Sequence, residues 1–159
     1  MKLSSFQARQ TARLPKPQFG VAAVEFALVI ILLLIIVAGV IEFGRAFWYY
    51  NALTKATRDG ARFMSDASSA TIGNSVAVAE NMVVAAANAA SVPGFNSSHV
   101  DVTCDGATCA NGTAPASVRV AITGYSVTIG GWFPIFLPTG GISSFTRELA
   151  PATTMRYMH

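Results

Sequence analysis

The chain has 159 residues, of which 52% are hydrophobic and only 12% are charged. Soluble domains carry about 25% charged residues, so this composition excludes an ordinary soluble domain and indicates a membrane segment joined to one domain. The first 20 residues hold four of the 11 basic residues and none of the eight acidic ones, so the remainder has a net charge of −1 although the whole chain carries +3. The basic character therefore belongs to the N-terminus, which argues against a nucleic-acid-binding surface.

Residues 1–20 predict an irregular leader on the cytoplasmic side. The leader contains two prolines and shows no apolar periodicity, and its basic residues are Lys2, Arg9, Arg13 and Lys16. An excess of positive charge before an apolar run predicts that the N-terminus stays in the cytoplasm.

The apolar segment that follows predicts one transmembrane helix over residues 21–41. About 20 residues cross a hydrocarbon core about 30 Å thick. Its one charged residue is Glu25, and a carboxylate costs roughly 2.5–3.5 kcal/mol at mid-bilayer. The basic leader, Gly20, Glu25 and the long apolar run together are typical of a prepilin-type processing signal. Cleavage between Gly20 and Val21 would create an ammonium that Glu25 of a neighbouring subunit neutralises.

Two other interpretations of this segment stay open. Glu25 would also complement the helix dipole, which is worth about 0.3–1 kcal/mol. An ordinary secretory signal has an apolar region of about 7–15 residues and a small-residue cleavage site after it. The present run is longer and is followed by Glu42, Phe43 and Gly44, so cleavage on the outer side is not expected.

Helical periodicity continues beyond the span and predicts one helix from Val21 to about Ser65. Glu42 and Arg45 are interpreted as a surface pair on it, worth about 0.2–0.5 kcal/mol. A second helix is predicted over residues 74–90. The apolar residues spaced along the first helix are Phe43, Phe47, Tyr50, Leu53, Ala56, Gly60 and Phe63, and those along the second are Val76, Val83, Ala87 and Ala90.

The C-terminal part alternates with a period of two, which predicts three or four antiparallel strands packed on the helix. Gly124 suggests a bulge or bend between two strand segments. The predicted fold class is α+β, with residues 42–159 forming an extracytoplasmic domain. The strand segments are residues 99–104, 117–123 and 125–129, with a last strand at 142–149 or 152–157.

Cys104 and Cys109 are the only cysteines and flank the turn-forming pair Asp105-Gly106. An extracytoplasmic location would permit a disulfide between them. Two free thiols near a hairpin are the alternative.

The apolar segment Trp132–Pro138 is too short and too interrupted by proline to span a membrane. It either covers the sheet core or forms an exposed surface that touches the membrane or a neighbouring subunit.

No residue pattern predicts catalysis, a metal or a cofactor. His99 and His159 lack the spacing of zinc ligands. Nucleophile-elbow, P-loop and dinucleotide-binding patterns are missing as well. We therefore expect no enzyme, no cofactor and no metal site. A membrane-tethered hydrolase built on one of the histidines is the enzyme alternative.

Three segments resemble the TadE-like family, the pilin-like pseudopilins of the tight-adherence (Flp-type) pilus system. A fourth similarity is the ending at residues 152–157, whereas Thr57 stands where the family tends to have alanine, and the proline often found after the first segment is missing. The three segments are residues 20–29 (GVAAVEFALV), 41–45 (IEFGR) and 56–62 (ATRDGAR).

The resemblance implies a pilin-like fold and a minor pilin that a prepilin peptidase cleaves after Gly20, with Glu25 as the fifth residue of the mature chain. The implied partners are major and minor pilin subunits, the peptidase, the assembly platform of the bacterial inner membrane and membrane lipid. A major fibre subunit is disfavoured because the family's major pilins are very small. The alternative is an uncleaved single-pass anchor that carries a periplasmic adaptor domain.

Overall fold

The computed structural model describes residues 19–130, 135–136 and 142–158, and it confirms the predicted α+β class. The chain divides into two units, one ending at Ile36 and the other beginning at Val37. Of the segment Trp132–Pro138, only residues 135–136 lie within the described part. The helices are α1 (Phe19–Ser65) and α2 (Ile72–Ala89), with 3-10 turns at Ser69–Thr71 and Ser97–His99. The strands are β1 (Val100–Cys104), β2 (Ser117–Ile122), β3 (Ser126–Ile129), β4 (Ile135–Phe136), β5 (Ile142–Ser143), β6 (Phe145–Glu148) and β7 (Ala152–Arg156).

The described part of the first unit is the beginning of α1, which starts two residues before the predicted Val21. Its apolar side chains from Val21 to Ile36 are all exposed. Contact of such a surface with water costs about 25 cal/mol per Å². The helix is long and apolar enough to cross a membrane, and only 6% of the residues in its most apolar stretch are buried. This part of α1 therefore has the properties of a membrane anchor.

In the second unit, the buried face of α1 differs from the predicted one. Leu53, Ala56 and Gly60 are buried, as the periodicity indicated. Nearer the apolar run, the predicted aromatic residues are exposed, and three other residues, spaced one turn apart, are buried in their place. Two of the three are alanines, whose small side chains let other parts of the chain approach the helix closely. The exposed residues are Phe43, Phe47 and Tyr50, and the buried ones are Ala38, Glu42 and Ala46.

Helix α2 packs its predicted face into the core of the second unit. Val83 and Ala87 are fully buried, and Val76 and Ala90 are half-buried. The segment Ser69–Ala89 is also long and apolar enough to cross a membrane by length and composition. Its four buried residues place that face in the protein core, as in the core helix of a globular domain.

Within the described residues, the strands form one three-stranded sheet and two separate two-stranded ribbons. The sheet has the antiparallel order β1-β2-β7, and the ribbons pair β3 with β6 and β4 with β5. Val118, Val120 and Ile122 of the central strand β2 are buried in the core. At Gly124, where a bulge or bend was predicted, φ is +67°, and the chain leaves the sheet for the ribbon.

Candidate functional site

Gly20, Val21 and Glu25 lie in the first turns of α1, and all three are exposed. A Cβ atom added at Gly20 would meet no heavy atom within 4 Å. Positions four residues apart lie on the same side of a helix, so Glu25 lies about 6 Å along the axis from Val21 and on its face. The described residues leave the predicted scissile bond and the carboxylate accessible to another molecule.

Glu42 directly follows the apolar run and is buried rather than on the surface. Only 6% of it is exposed, and its Oε2 accepts a hydrogen bond from the backbone N–H of Gly130. The sequence interpretation of a surface carboxylate missed this contact. A usable signal was present, because Ala38 and Ala46 lie one turn before and after Glu42 and mark a face of close packing.

His99 takes part in an aromatic cluster at the edge of the core. Its ring stacks on Phe95 and contacts Tyr125 edge-on, with ring centroids 5.5 Å and 5.4 Å apart. Its Nδ1 accepts a hydrogen bond from the N–H of Asn96. These contacts give His99 a role in packing and in capping a 3-10 turn.

Tyr125 completes this cluster from the start of the β3–β6 ribbon. Its hydroxyl donates to the carbonyl of Pro93 at 2.9 Å. Burial raises the pKa of Tyr125, and the neighbouring Tyr49 raises it further. The phenol therefore stays protonated and holds the end of α2 near the ribbon.

Cys104 and Cys109 form a disulfide, with 4.9 Å between their Cα atoms. Asp105, next to Cys104, has a positive φ of 52°. Its carboxylate accepts hydrogen bonds from the N–H groups of Ala116 and Ser117, both at 2.8 Å. These donors lower the pKa of Asp105. The disulfide thus closes the loop between Cys104 and Cys109, and the carboxylate of Asp105 ties the start of this loop to Ala116 and Ser117.

The described residues contain no cluster of three or more His, Cys, Asp or Glu that could hold a metal ion. An open cleft of about 670 Å³ lies beside the C-terminal part of α1. Arg58, Asp59 and Arg62 of α1 are exposed. Asp59 and Arg62 line this cleft, together with Phe63, Asp66, Ala67, Ser75, Met82 and Met158.

The comparison with protein families gives one match, to the family described as TadE-like protein, over residues 20–62. No curated protein and no solved structure matches the chain significantly. The matched segment begins at Gly20 and follows α1 through Arg62. The match confirms the resemblance found in the sequence: over residues 20–62 the chain is similar to the TadE-like family of the tight-adherence pilus system.

Proposed function

We propose that the protein is a minor pilin or pseudopilin that takes part in tight-adherence pilus assembly after a prepilin peptidase cleaves it between Gly20 and Val21. The observation that carries this proposal is the family match, which begins at Gly20 and covers the apolar part of α1. The accessibility of Gly20 and the position of Glu25 on the face of Val21 support it.

In this proposal the chain has no enzymatic activity and acts by helix packing. Cleavage leaves an ammonium at Val21, and Glu25 of a neighbouring subunit pairs with it. Away from water the attraction between the two charges is much stronger than in water. Van der Waals packing of the exposed apolar residues of α1 against other pilin helices supplies the association, and the charge pair sets the register between subunits.

The proposed location is the bacterial inner membrane, with the N-terminus in the cytoplasm and residues 42–159 in the periplasm. The basic leader supports this orientation. A disulfide between Cys104 and Cys109 fits an oxidising compartment. The proposed partners are the prepilin peptidase, the assembly platform, membrane lipid and the major and minor pilins.

Mass spectrometry of the protein extracted from membranes tests the cleavage step. In cells with an active prepilin peptidase, the protein is expected to begin at Val21. In cells without the peptidase, it is expected to keep the leader, residues 1–20. An intact leader in the presence of the peptidase would favour the uncleaved anchor with a periplasmic adaptor domain.

The role of Glu25 is tested separately with Glu25→Gln, which keeps the shape and removes the charge. We expect normal cleavage but reduced recovery of the protein with sheared pili or with its pilin partners. Glu80→Gln, on α2 and outside the span, is the matched control and should assemble normally. Normal assembly of both variants would reject the charge pair as the device that sets register.

A further inference from the structure

The contact between Glu42 and Gly130 fixes where one end of the β3–β6 ribbon lies along the axis of α1. Glu42 directly follows Ile41, the last residue of the apolar run, and Gly130 directly follows the last residue of β3. Since the carboxylate accepts the N–H of Gly130, this end of the ribbon lies level with the outer end of the run. A buried carboxylate is tolerated only when it is hydrogen-bonded, so the contact is a structural requirement.

Ala38 shows that the second unit extends further, into the apolar run itself. Ala38 is only 4% exposed, whereas Ala22, Ala23 and Ala27 of the same helix are exposed among equally bulky neighbours. The second unit, which begins at Val37, therefore includes a buried residue of the apolar run. At 1.5 Å per residue, Ala38 lies about 4.5 Å inside Ile41.

The described end of the ribbon carries side chains suited to a membrane surface. Phe145 pairs with Ile129 across the ribbon and is 59% exposed. Arg147, two residues further from this end, is also exposed. On proteins that lie on a membrane, an apolar ring such as that of phenylalanine is buried at the boundary between headgroups and acyl chains. An arginine just outside this boundary can direct its guanidinium to phosphate groups.

We propose that the second unit rests on the outer leaflet of the membrane through the Phe145 end of the β3–β6 ribbon, and that Glu42 holds the ribbon at this depth. The partner is a phospholipid surface. The inference rests on the proposed membrane span, because it takes the end of the apolar run as the level of the outer headgroups. It explains why the chain keeps a buried carboxylate there and why the aromatic side chain at this end of the ribbon is exposed.

Photocrosslinking of the full chain in phospholipid vesicles tests this contact. The photoreactive phenylalanine analogue p-benzoylphenylalanine is introduced, in separate proteins, at Phe145, at Leu32 in the apolar run and at Met158. Met158 is 70% exposed, and its N–H donates to Ser65 at the other end of the second unit's part of α1. After illumination, mass spectrometry identifies lipid adducts and gel electrophoresis identifies crosslinked dimers.

We expect lipid adducts at Phe145 and Leu32 and none at Met158. Adducts at Leu32 but not at Phe145 would overturn the surface contact and leave the span intact. Covalent dimers at Phe145 in place of lipid adducts would overturn it as well, since a second copy would then cover the ribbon. A failure of Leu32 to give lipid adducts would instead reject the membrane span of the proposed function.

The positioning role of Glu42 is tested in the protein that carries the photoreactive group at Phe145. Glu42→Ala removes the acceptor for the N–H of Gly130, so the yield of lipid adduct should fall several-fold. Glu42→Gln keeps a carbonyl acceptor and should restore most of the yield. Equal yields from the parent chain and Glu42→Ala, with the adduct at Leu32 unchanged, would show that Glu42 does not hold the ribbon.

Discussion

Thr57 of α1 and Thr153 of β7 are joined by a hydrogen bond between their hydroxyl groups, with 3.1 Å between the Oγ1 atoms. Thr57 is fully buried, and its hydroxyl donates to the carbonyl of Thr54 at 2.9 Å. Because a hydroxyl has one hydrogen, Thr57 accepts from Thr153. Thr57 departs from the alanine that the TadE-like family tends to have here, and this bond gives the departure a structural role.

Replacing Thr57 with valine tests the contribution of this bond. The substitution keeps the shape, removes the acceptor and leaves the Thr153 hydroxyl without this partner, so the free energy of unfolding should fall by about 1–2 kcal/mol. Urea unfolding of the full chain in detergent, followed by near-UV circular dichroism, measures the change. Thr153→Val alone and together with Thr57→Val completes a double-mutant cycle. Strictly additive effects would show that the two hydroxyl groups are not coupled.

At Gly60, α1 approaches its neighbours closely. A Cβ atom added there would lie 3.0 Å from Cγ2 of Val83 and 3.6 Å from Cγ1 of Val120. Both valines are fully buried, and a branched side chain has little freedom to move aside. We expect Gly60→Ala to destabilise the protein by about 1–3 kcal/mol from overpacking, which exceeds the roughly 1 kcal/mol that alanine contributes as a better helix former.

The control for this prediction is Gly44→Ala on the same helix, where an added Cβ meets nothing within 4 Å. That variant should be neutral or more stable. Val83→Ala combined with Gly60→Ala should recover part of the loss, because it removes the atom that is crowded. If Gly60→Ala were as harmless as Gly44→Ala, close packing would not explain the glycine.

Both helices could be predicted from the sequence because their signals are local. The predicted and observed ends of α1 and α2 differ by no more than two residues. The apolar periodicity of each helix depends only on neighbours along the chain. The strand segments followed for the same reason, since alternation is also local.

The buried face of α1 near the apolar run could not be read from hydrophobicity. Phe43, Phe47 and Tyr50 are apolar and correctly spaced for a core face, yet they are exposed. Next to a membrane, an apolar side chain has two suitable environments, protein and lipid, so its polarity does not tell them apart. Glu42 was misplaced for the related reason that its partner, Gly130, is 88 residues away.

Asp105 predicts how the stability of the domain depends on pH. The N–H groups of Ala116 and Ser117 bind the ionised carboxylate, so the folded-state pKa lies below the ordinary value of 3.8. The stabilisation by Asp105 is therefore complete above that value and is lost as the pH falls through the lower, folded-state pKa. The urea concentration at the unfolding midpoint of the parent chain should therefore decrease as the pH is lowered through this acidic range.

Asp105→Asn should be less stable at neutral pH and should lose part of this acid dependence. Asparagine is the suitable replacement because, like aspartate, it tolerates the positive φ found here. Asp101→Asn, at an exposed position of β1, is the matched control and should keep the dependence. An unchanged acid profile in Asp105→Asn would exclude this carboxylate as its source.

Asn111, two residues after the disulfide-bonded Cys109, lies at the start of α2. Thr71, the N-cap of that helix, makes no side-chain cap hydrogen bond. Its usual role is taken by Asn111, whose Oδ1 accepts the N–H of Gly73 at 2.7 Å. A Cβ atom at Gly73 would lie 2.9 Å from that oxygen and 3.0 Å from the carbonyl oxygen of Cys109, so the glycine makes room for the loop.

We therefore expect opening of the loop to release the first turn of α2. Changing Cys104 and Cys109 to serine removes the loop constraint, which is worth about 2 kcal/mol for a closed loop this short. Asn111→Ala removes only the cap, worth about 1 kcal/mol. In hydrogen-exchange mass spectrometry, both variants should speed exchange in peptides covering residues 72–76, whereas Asn111→Asp, which keeps an acceptor, should leave exchange there slow.

The last turn of α2 provides the internal control, because it is held separately by Trp48, whose Nε1 donates to the carbonyl of Ala90. Exchange in peptides from this end should therefore change less. Equal acceleration at both ends would mean that the loop stabilises the domain as a whole and not the start of this helix.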